Sequence, residues 1–262
     1  MRLLASDLDG TLVGSSGDLS PRTRSMLDAC AEAGVAVVFV TGRPPRWLDT
    51  IAAGRAGAAI CANGALVVEL PTLAVLEATT LDPAVVLDVA ARLRHVLPGA
   101  TFGLETLDGF AMEPAYVRRY DDGPVPSGDL EDLLANGAQV VKILLRVPNS
   151  RSDDLLATAR PVLSGLAAPT HSNAADGLLE IGALGVSKAA ALGRLAGHLG
   201  VDPADVVAFG DMPNDVEMLR WAGQSYAMTG GHPEAVAAAK ALAPPCEQDG
   251  VAQVVEALLA AG

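Results

Sequence analysis

The chain has 262 residues, of which half are apolar and only 3% aromatic, and 31 acidic against 18 basic residues give it a formal net charge of −13. This length allows one or two domains, and the composition favours helix-rich α/β packing over an all-β sandwich. The negative charge argues against nucleic acid or an anionic membrane as the main partner, but salt screens charges beyond roughly 8 Å, so a phosphorylated small molecule is not excluded.

The cysteines and the apolar runs indicate the cellular compartment in which the protein functions. Cys30, Cys61 and Cys246 are isolated, match no zinc or redox spacing, and are expected to be buried free thiols. No apolar run approaches the roughly 18 residues that a membrane-spanning helix needs. We therefore expect a cytoplasmic protein, either a monomer or a homodimer.

The first 82 residues alternate strands and helices in the manner of βαβ units. Ser20-Pro21 is typical of a helix start, and the β-branched run at 35–40 is typical of a strand buried on both faces. Asn63-Gly64 is a strong hairpin signal. The predicted elements are strand 2–7, helix 21–32, strand 35–40, helix 47–53, and paired strands 58–62 and 65–69.

From about Pro83 the pattern changes to that of a compact second module. The predicted elements are helix 85–96, strands 101–105 and 110–113, strand 139–147, helix 152–163, and paired strands 169–172 and 178–181. No low-complexity linker lies at either join, which indicates a domain inserted into the first one.

The last third returns to βαβ alternation. The predicted elements are helix 187–199, strand 206–209, helix 215–222, strand 225–228, and helices 233–241 and 251–260. The fold class is therefore α/β: a doubly wound, Rossmann-like parallel-sheet core formed by 1–82 and 184–262, with an inserted α+β cap domain over 83–183.

The segment Asp7-Leu8-Asp9-Gly10-Thr11 is the strongest chemical signal in the chain. It ends a short apolar strand, and residues two apart in a strand point to the same face, so the two carboxylates are expected to converge. Two adjacent carboxylates repel, and a divalent cation with oxygen ligands is the simplest partner for them. Gly10 then predicts a turn that exposes backbone N–H groups.

Three further polar clusters follow predicted strand ends or begin helices. Thr41-Gly42 follows the strand at 35–40 and offers a hydroxyl and an amide to one phosphoryl oxygen; Lys188 begins a helix and offers a point charge. Asp211, Asn214 and Asp215 follow the strand at 206–209. Ligands of open parallel sheets bind outside the carboxyl ends of the strands, so these clusters are expected to meet there.

In order and position, these motifs resemble those of the haloacid dehalogenase-like hydrolases. The matching motifs are Asp7/Asp9/Thr11, Thr41, Lys188 and Gly210-Asp211 with Asp215. The large insertion between the second and third motifs is similar to the branch with a type IIB cap, often called Cof-type. Asn63-Gly64-Ala65 and Gly-x-Ser-Lys at 185–188 also recur in that branch.

The resemblance implies a Mg²⁺-dependent phosphatase acting on a small phosphorylated metabolite, a sugar phosphate above all. Asp7 is the implied nucleophile, forming an aspartyl-phosphate, and Asp9 the implied acid and base. Implied Mg²⁺ ligands are Asp7, the Asp9 backbone carbonyl and Asp211, and Asp215 is either a further ligand or a residue that orients Lys188. The residues expected to bind substrate or its phosphate are Gly10, Thr41, Gly42, Arg43, Asn63, Glu180, Lys188 and Asn214.

Several alternatives remain open at this stage. A sugar phosphomutase would use the same aspartyl-phosphate, and a non-catalytic phosphometabolite-binding module is the rival from another class. Arg43 either binds phosphate or only caps its own turn, and His171 is expected at the surface. The cap residues that contact substrate are guesses at this stage: Phe102, Glu105, Arg118 and Tyr120.

Overall fold

The structure is a computed structural model that describes residues 1–119 and 123–261. The chain divides into two compact units, Met1–Glu77 with Ser187–Gly262, and Ala78–Val186. These units meet at 77/78 and 186/187, while the division at 82/83 and 183/184 stays a sequence prediction. Within the described residues, no helix is both long and apolar enough to cross a bilayer.

The first unit is built on an eight-stranded sheet in the order β13-β12-β11-β1-β2-β3-β4-β5. Its strands are β1 Leu3–Ser6, β2 Ala36–Val40, β3 Gly57–Cys61, β4 Leu66–Leu70, β5 Val75–Ala78, β11 Val206–Gly210, β12 Gln224–Met228 and β13 Ala241–Ala243. Strands β13 to β3 in this order are parallel, and β4 pairs antiparallel with β3. The predicted parallel α/β core is confirmed.

The helices of the first unit largely follow the predicted pattern. They are α1 Pro21–Glu32, α2 Asp49–Ala52, α6 Lys188–His198, α7 Val216–Trp221, α8 Pro233–Ala238 and α9 Gly250–Ala261. Ser20 caps α1 by accepting a hydrogen bond from the Thr23 N–H, which satisfies one of the free donors of a helix start. The central strands β1 and β11 are fully buried, whereas the edge strand β5 is largely exposed. Leu3, Val40 and Ala208 belong to the core that packs on one face of the sheet.

The second unit is a five-stranded antiparallel sheet in the order β7-β6-β8-β10-β9. Its elements are α3 Pro83–Val96, β6 Thr101–Thr106, β7 Gly109–Met112, α4 Leu130–Ala135, β8 Val140–Arg146, α5 Ser152–Val162, β9 Ala167–Thr170 and β10 Leu178–Ala183. A separate apolar core includes Phe102, Ile143 and Leu179 of the sheet and Val89 and Leu156 of the helices. This α+β unit is what the insertion predicts.

The structure corrects several local predictions. Strand β5, strand β13 and helix α4 were not predicted, and α8 ends at Ala238 instead of Ala241 because Ala241–Ala243 pairs with β12. The predicted helix at 47–53 is a 3-10 turn at Pro45–Trp47 followed by the short α2. None of the three cysteines forms a disulfide, as predicted, although Cys246 is only half-buried.

His171 was predicted to lie at the surface, and this prediction is wrong. Its side chain is buried, and Nε2 lies 2.9 Å from the Asp153 Oδ1 within the second unit. Tyr120, one of the guessed cap contacts, lies outside the described residues.

Candidate active site

The predicted site residues of the first unit gather at the carboxyl edge of its parallel sheet. Strand β1 lies between β2 and β11, with Ser6 opposite both Phe39 and Phe209. The chain therefore leaves β1, β2 and β11 at one edge, where the strand order reverses. Such a topological switch point opens the crevice in which α/β proteins bind ligands.

Lys188 joins the acids that follow β1 and β11. Its side chain is fully buried, and Nζ donates to Asp7 Oδ1 at 2.5 Å and to Asp215 Oδ1 at 2.7 Å. Burial alone would lower the pKa of Lys188, but the carboxylates of Asp215 and Asp7 outweigh it and raise that pKa above the usual lysine value. The lysine therefore stays charged, as a fixed cation beside Asp7.

Asp215 organises the loop after β11 as well as the lysine. Its second oxygen, Oδ2, accepts from the backbone N–H groups of Asp211 and Met212, both at 3.0 Å. Both carboxylate oxygens are thus hydrogen-bonded, and the side chain is fully buried. Asp215 therefore fixes the loop after β11 and orients the Lys188 side chain towards Asp7.

Asp211 completes a three-carboxylate cluster with Asp7 and Asp215. One oxygen of each lies within 4.8 Å of the others, close enough to share a metal ion. Thr11 donates its hydroxyl to Asp211 Oδ1 at 3.2 Å, and a Cβ on Gly10 would lie 2.5 Å from Asp211 Oδ2. Gly10 also has φ +80°, so glycine is required here both by the turn and by the close approach of Asp211.

Burial and mutual repulsion raise the pKa values of two carboxyl groups in the cluster. Burial first, then the repulsion from Asp215, raises the pKa of Asp211 to about 7, against a smaller lowering by Lys188. Burial also raises the pKa of Asp7 well above its usual value; Lys188 opposes this, but Asp215, Asp211 and Asp9 repel its charge. Three carboxylates around one ammonium form a site with excess negative charge.

The Gly10 amide does not play the predicted part of a phosphate donor. Its N–H donates to the Val13 carbonyl oxygen at 2.9 Å, inside the turn that follows Asp9. A donor already used in this way is not available to a ligand. The role of Gly10 is to let the chain pass close to Asp211.

Thr41, Asn63 and Asn214 are brought together through hydrogen bonds between three loops. The Asn63 N–H donates to the Thr41 carbonyl oxygen at 3.0 Å, and Asn214 Nδ2 donates to Asn63 Oδ1 at 3.0 Å. Asn63 has φ 57°, which asparagine adopts more readily than most residues. Thr41 is fully buried and precedes Gly42 at the end of β2.

Arg43 does more than cap its own turn. Its Nε donates to Asp9 Oδ2 at 2.8 Å and its Nη2 to Asp9 Oδ1 at 2.6 Å, a two-bond fork between two predicted site residues. No sequence pattern predicts this pair, because 34 positions separate the two residues.

Glu180 lies in the second unit, unlike the other predicted site residues. It is buried, with Oε2 accepting from Lys142 Nζ at 2.6 Å and Oε1 from Ser172 Oγ at 2.5 Å. Lys142 was missed, although a single lysine within the apolar strand β8 is itself a signal that a buried acid lies nearby.

The family profile of haloacid dehalogenase-like hydrolases matches residues 4–255. The chain belongs to the haloacid dehalogenase-like hydrolases. The motif resemblance in the sequence is thereby confirmed over nearly the whole chain.

Relatives of this haloacid dehalogenase-like protein are phosphatases. The chain is 32% identical to an HMP-PP phosphatase of Cronobacter sakazakii, over 90% of this chain and 87% of that one. It is 23% identical to the 5-amino-6-(5-phospho-D-ribitylamino)uracil phosphatase YwtE of Bacillus subtilis, over 99% and 98%. As a member of this family, the protein is a phosphoric monoester hydrolase.

Solved structures confirm the haloacid dehalogenase-like fold, including the cap class. SMU.1108c of Streptococcus mutans superposes with a TM-score of 0.86 at 22% identity, covering 99% of both chains. The subclass IIB sugar phosphatase BT4131 superposes with a TM-score of 0.79 at 20% identity, covering 98% of this chain and 99% of that one. The Rossmann-like core with an inserted subclass IIB cap is thus the fold of this chain.

The acidic cluster fits the divalent cation that haloacid dehalogenase-like phosphatases generally use. Every side-chain donor in it is a carboxylate oxygen, the ligand type of Mg²⁺. With Lys188 charged, the three carboxylates leave two negative charges, which one divalent cation would balance. Burial, with the repulsion among these carboxylates as a smaller cause, raises the pKa values of Asp7 and Asp211.

Proposed function

We propose that this chain is a Mg²⁺-dependent phosphatase that hydrolyses a small phosphorylated metabolite through an aspartyl-phosphate on Asp7. The observation that carries this proposal is the buried pair of Asp7 and Lys188 inside a three-carboxylate cluster. Lys188 engages only Oδ1 of Asp7 among the described residues, which leaves Oδ2 to attack phosphorus.

The metal would be held by the side chains of Asp7 and Asp211 and by the Asp9 backbone carbonyl. Asp215 would act on Lys188 and the loop, since both of its oxygens already accept hydrogen bonds. The bound cation would supply charge neutralisation at the phosphoryl oxygens.

Asp7 and Asp9 divide the chemistry between them in two steps. Asp7 Oδ2 forms a bond to phosphorus while the bond to the leaving oxygen breaks, and Asp9 gives that oxygen a proton. Asp9 then removes a proton from a water molecule, whose oxygen bonds to phosphorus and frees the Asp7 carboxylate and inorganic phosphate. The enzyme returns to its starting state with one water consumed.

Lys188, Thr41 and the Gly42 amide would bind the phosphoryl oxygens. A fixed ammonium and a hydroxyl at the strand ends can stabilise charge that spreads over these oxygens in the transition state without reorganising first. Asn63 and Asn214 would hold the loop that carries Thr41, through the hydrogen bonds that join them.

The substrate class is proposed to be a sugar phosphate or a similar small phosphate monoester. The names of the relatives support this, since they include a sugar phosphatase and a phosphatase of a phosphoribityl compound. Glu180 belongs to the second unit, and its predicted contact with the substrate stays a prediction. A panel of phosphorylated sugars assayed with Mg²⁺ tests this class, and phosphate release with and without a sugar bisphosphate separates hydrolysis from phosphomutase activity.

The nucleophile is tested by Asp7→Asn. We expect kcat to fall by about 10⁴-fold or more, because an amide cannot attack phosphorus, and we expect rapid quenching to trap an acyl-phosphate on wild type only. Asp88→Asn is the control, since Asp88 forms an exposed helical pair with Arg92. Retained turnover in Asp7→Asn, with its thermal unfolding unchanged, would contradict the covalent mechanism.

A further inference from the structure

We propose that Arg43 is a positioning residue that fixes the carboxyl group of Asp9 for proton transfer with the leaving oxygen, and is not a ligand of the phosphoryl group. The inference rests on the proposed function, since it takes Asp9 to be the proton donor and acceptor. It replaces the phosphate-binding role that the sequence suggested for Arg43.

The geometry between the two side chains is that of a side-on fork. Nε and Nη2 of Arg43 meet different oxygens of Asp9, at 2.8 Å and 2.6 Å. Two parallel charge-assisted bonds fix both the position and the plane of a carboxyl group, whereas a single point charge fixes neither. The fork therefore sets the orientation that a proton-transfer group requires.

Neighbouring residues constrain the Arg43 side chain much more than the Asp9 side chain. The Asp9 side chain is 58% exposed, and within residues 1–119 and 123–261 only Arg43 donates hydrogen bonds to its carboxylate. A short exposed side chain with one partner would rotate freely if that partner were lost. Asp9 is thus the member of the pair that needs positioning.

Arg43 is the anchored member, with its side chain only 17% exposed. Its backbone N–H donates to Thr41 Oγ1 at 3.0 Å and its carbonyl oxygen accepts from the Ala62 N–H at 3.0 Å. At the far end, Nη1 donates to the Trp47 carbonyl oxygen at 3.4 Å. These contacts fix the guanidinium relative to the strand ends that carry the site.

A phosphoryl group that bound the Nε–Nη2 edge of Arg43 would have to break the fork. Hydrogen bonds between two charged groups are the stronger ones, so a phosphoryl group would have to outcompete Asp9 for these two donors. Lys188 is already placed beside Asp7 to serve that group.

The experiment compares two leaving groups in Arg43→Gln, Arg43→Lys and Asp9→Asn. The substrates are p-nitrophenyl phosphate, whose phenolate leaves without protonation, and the alkyl monoester that wild type turns over fastest in the sugar-phosphate panel. For Arg43→Gln we expect the single-turnover rate of leaving-group release to fall about 10–100-fold for the alkyl ester and less than about 3-fold for p-nitrophenyl phosphate, with KM for both changing less than about 2-fold. This rate excludes the later water step, in which Asp9 serves both substrates alike. Arg43→Lys should behave like Arg43→Gln, because an ammonium cannot form the fork.

The controls separate positioning from folding and from charge. Arg46→Gln removes a guanidinium of the same segment, one that stacks on Trp47 at 5.4 Å, and should leave both activities near wild type. Thermal unfolding of each variant shows that it is folded. In the double variant of Asp9→Asn with Arg43→Gln we expect no further loss of kcat on the alkyl ester, because the fork acts only through Asp9.

The outcomes of the two proposals are distinguishable. If Arg43→Gln raises KM equally for both substrates while Asp9→Asn slows leaving-group release only for the alkyl ester, Arg43 binds phosphate and this inference is overturned. If Asp9→Asn slows single-turnover release of both leaving groups equally, the role of Asp9 as proton donor in the proposed function is wrong. Turnover that survives in Asp7→Asn would overturn the covalent chemistry independently of Arg43.

Discussion

Lys188 is the residue on which the geometry of the site depends most. A lysine side chain without solvent contact is rare and needs acids around it, and here two carboxylates accept from one ammonium. The same contacts place a cation at one oxygen of Asp7 and hold the loop after β11 through Asp215. Stability and chemistry therefore depend on the same three side chains.

Replacing Lys188 with Met should cost both stability and activity. It leaves buried acids without their cation, and breaking a buried ion pair typically costs about 3–5 kcal/mol in the free energy of unfolding. We also expect kcat to fall about 10²–10³-fold or more through loss of the fixed charge. Urea unfolding and steady-state kinetics measure the two losses. Lys240→Met is the control: this exposed lysine binds the carbonyl oxygens of Ala222 and Gly223, so it should cost about 1 kcal/mol and leave kcat intact.

The sequence predicts the site at residue level only where the backbone determines position. Asp7, Thr41 and Asp211 could be placed together because each follows a parallel strand, and the carboxyl ends of such strands share one edge. The Arg43–Asp9 fork depends on the directions of two side chains that are far apart in the sequence. No local sequence pattern encodes these directions. His171 was misplaced for the same reason, since its burial follows from packing within the cap sheet.

At the scale of elements, the Asn63-Gly64 turn fixes where α6 begins. Gly64 has φ +103°, and a Cβ on it would overlap the carbonyl oxygen of Ser187, the residue that caps α6. The turn can approach the helix start this closely only because residue 64 has no side chain. Lys188 is the first residue of that helix, so the position of the turn determines the position of Lys188 in the site.

Gly64→Ala should therefore displace the start of α6. We expect a cost of about 1–2 kcal/mol from the left-handed backbone and about 1–3 kcal/mol more from the overlap with Ser187. Because a shift of about 1 Å at Lys188 would misalign a group proposed to bind the phosphoryl oxygens, kcat should fall about 10²-fold. Gly34→Ala is the matched control, with φ +71° and no atom within 4 Å of an added Cβ. Equal stability and equal kcat in the two variants would refute this role of the turn.

Element prediction succeeded for long or strongly patterned segments and failed for short ones. Strand β2 is continuously apolar and helix α1 has Ser20 and Pro21 at its start, so both were recognised. Ala241–Ala243 continues an alanine-rich helical pattern, and only its pairing with β12 makes it a strand. Helix α4 has six residues, too few to establish a period in the sequence.

At the scale of the whole molecule, negative charge is spread over the surface and concentrated in the acidic cluster. The net charge of −13 repels anionic partners at long range, while the cluster would attract the proposed divalent cation at short range. The absence of nucleic-acid binding, the cytoplasmic location and the monomeric or homodimeric state stay predictions. The cluster's own charge has a consequence for folding stability that is directly measurable.

The metal-free protein should lose stability as pH rises through about 7. The pKa of Asp211 is about 7 in the folded protein and that of Asp7 is also raised, so the native state binds more protons than the unfolded chain, whose aspartates titrate near 4. The stabilisation by these protons is therefore complete below about pH 4 and is lost as pH rises through the folded values. Urea unfolding in EDTA between pH 5 and 8 should show this decline.

Mg²⁺ should remove the decline, because a bound cation replaces the proton as the partner of the excess charge. At a free concentration 100 times its dissociation constant, Mg²⁺ binding to the folded state alone adds about 2.7 kcal/mol, and the gain should be larger at pH 8 than at pH 6, where protons compete. Asp211→Asn is the matched control, since it removes one titrating carboxyl group and should flatten the EDTA curve while weakening the response to Mg²⁺. A wild-type stability in EDTA that rises between pH 6 and 8, or the same Mg²⁺ response in Asp211→Asn, would show that this cluster does not carry the charge assigned to it.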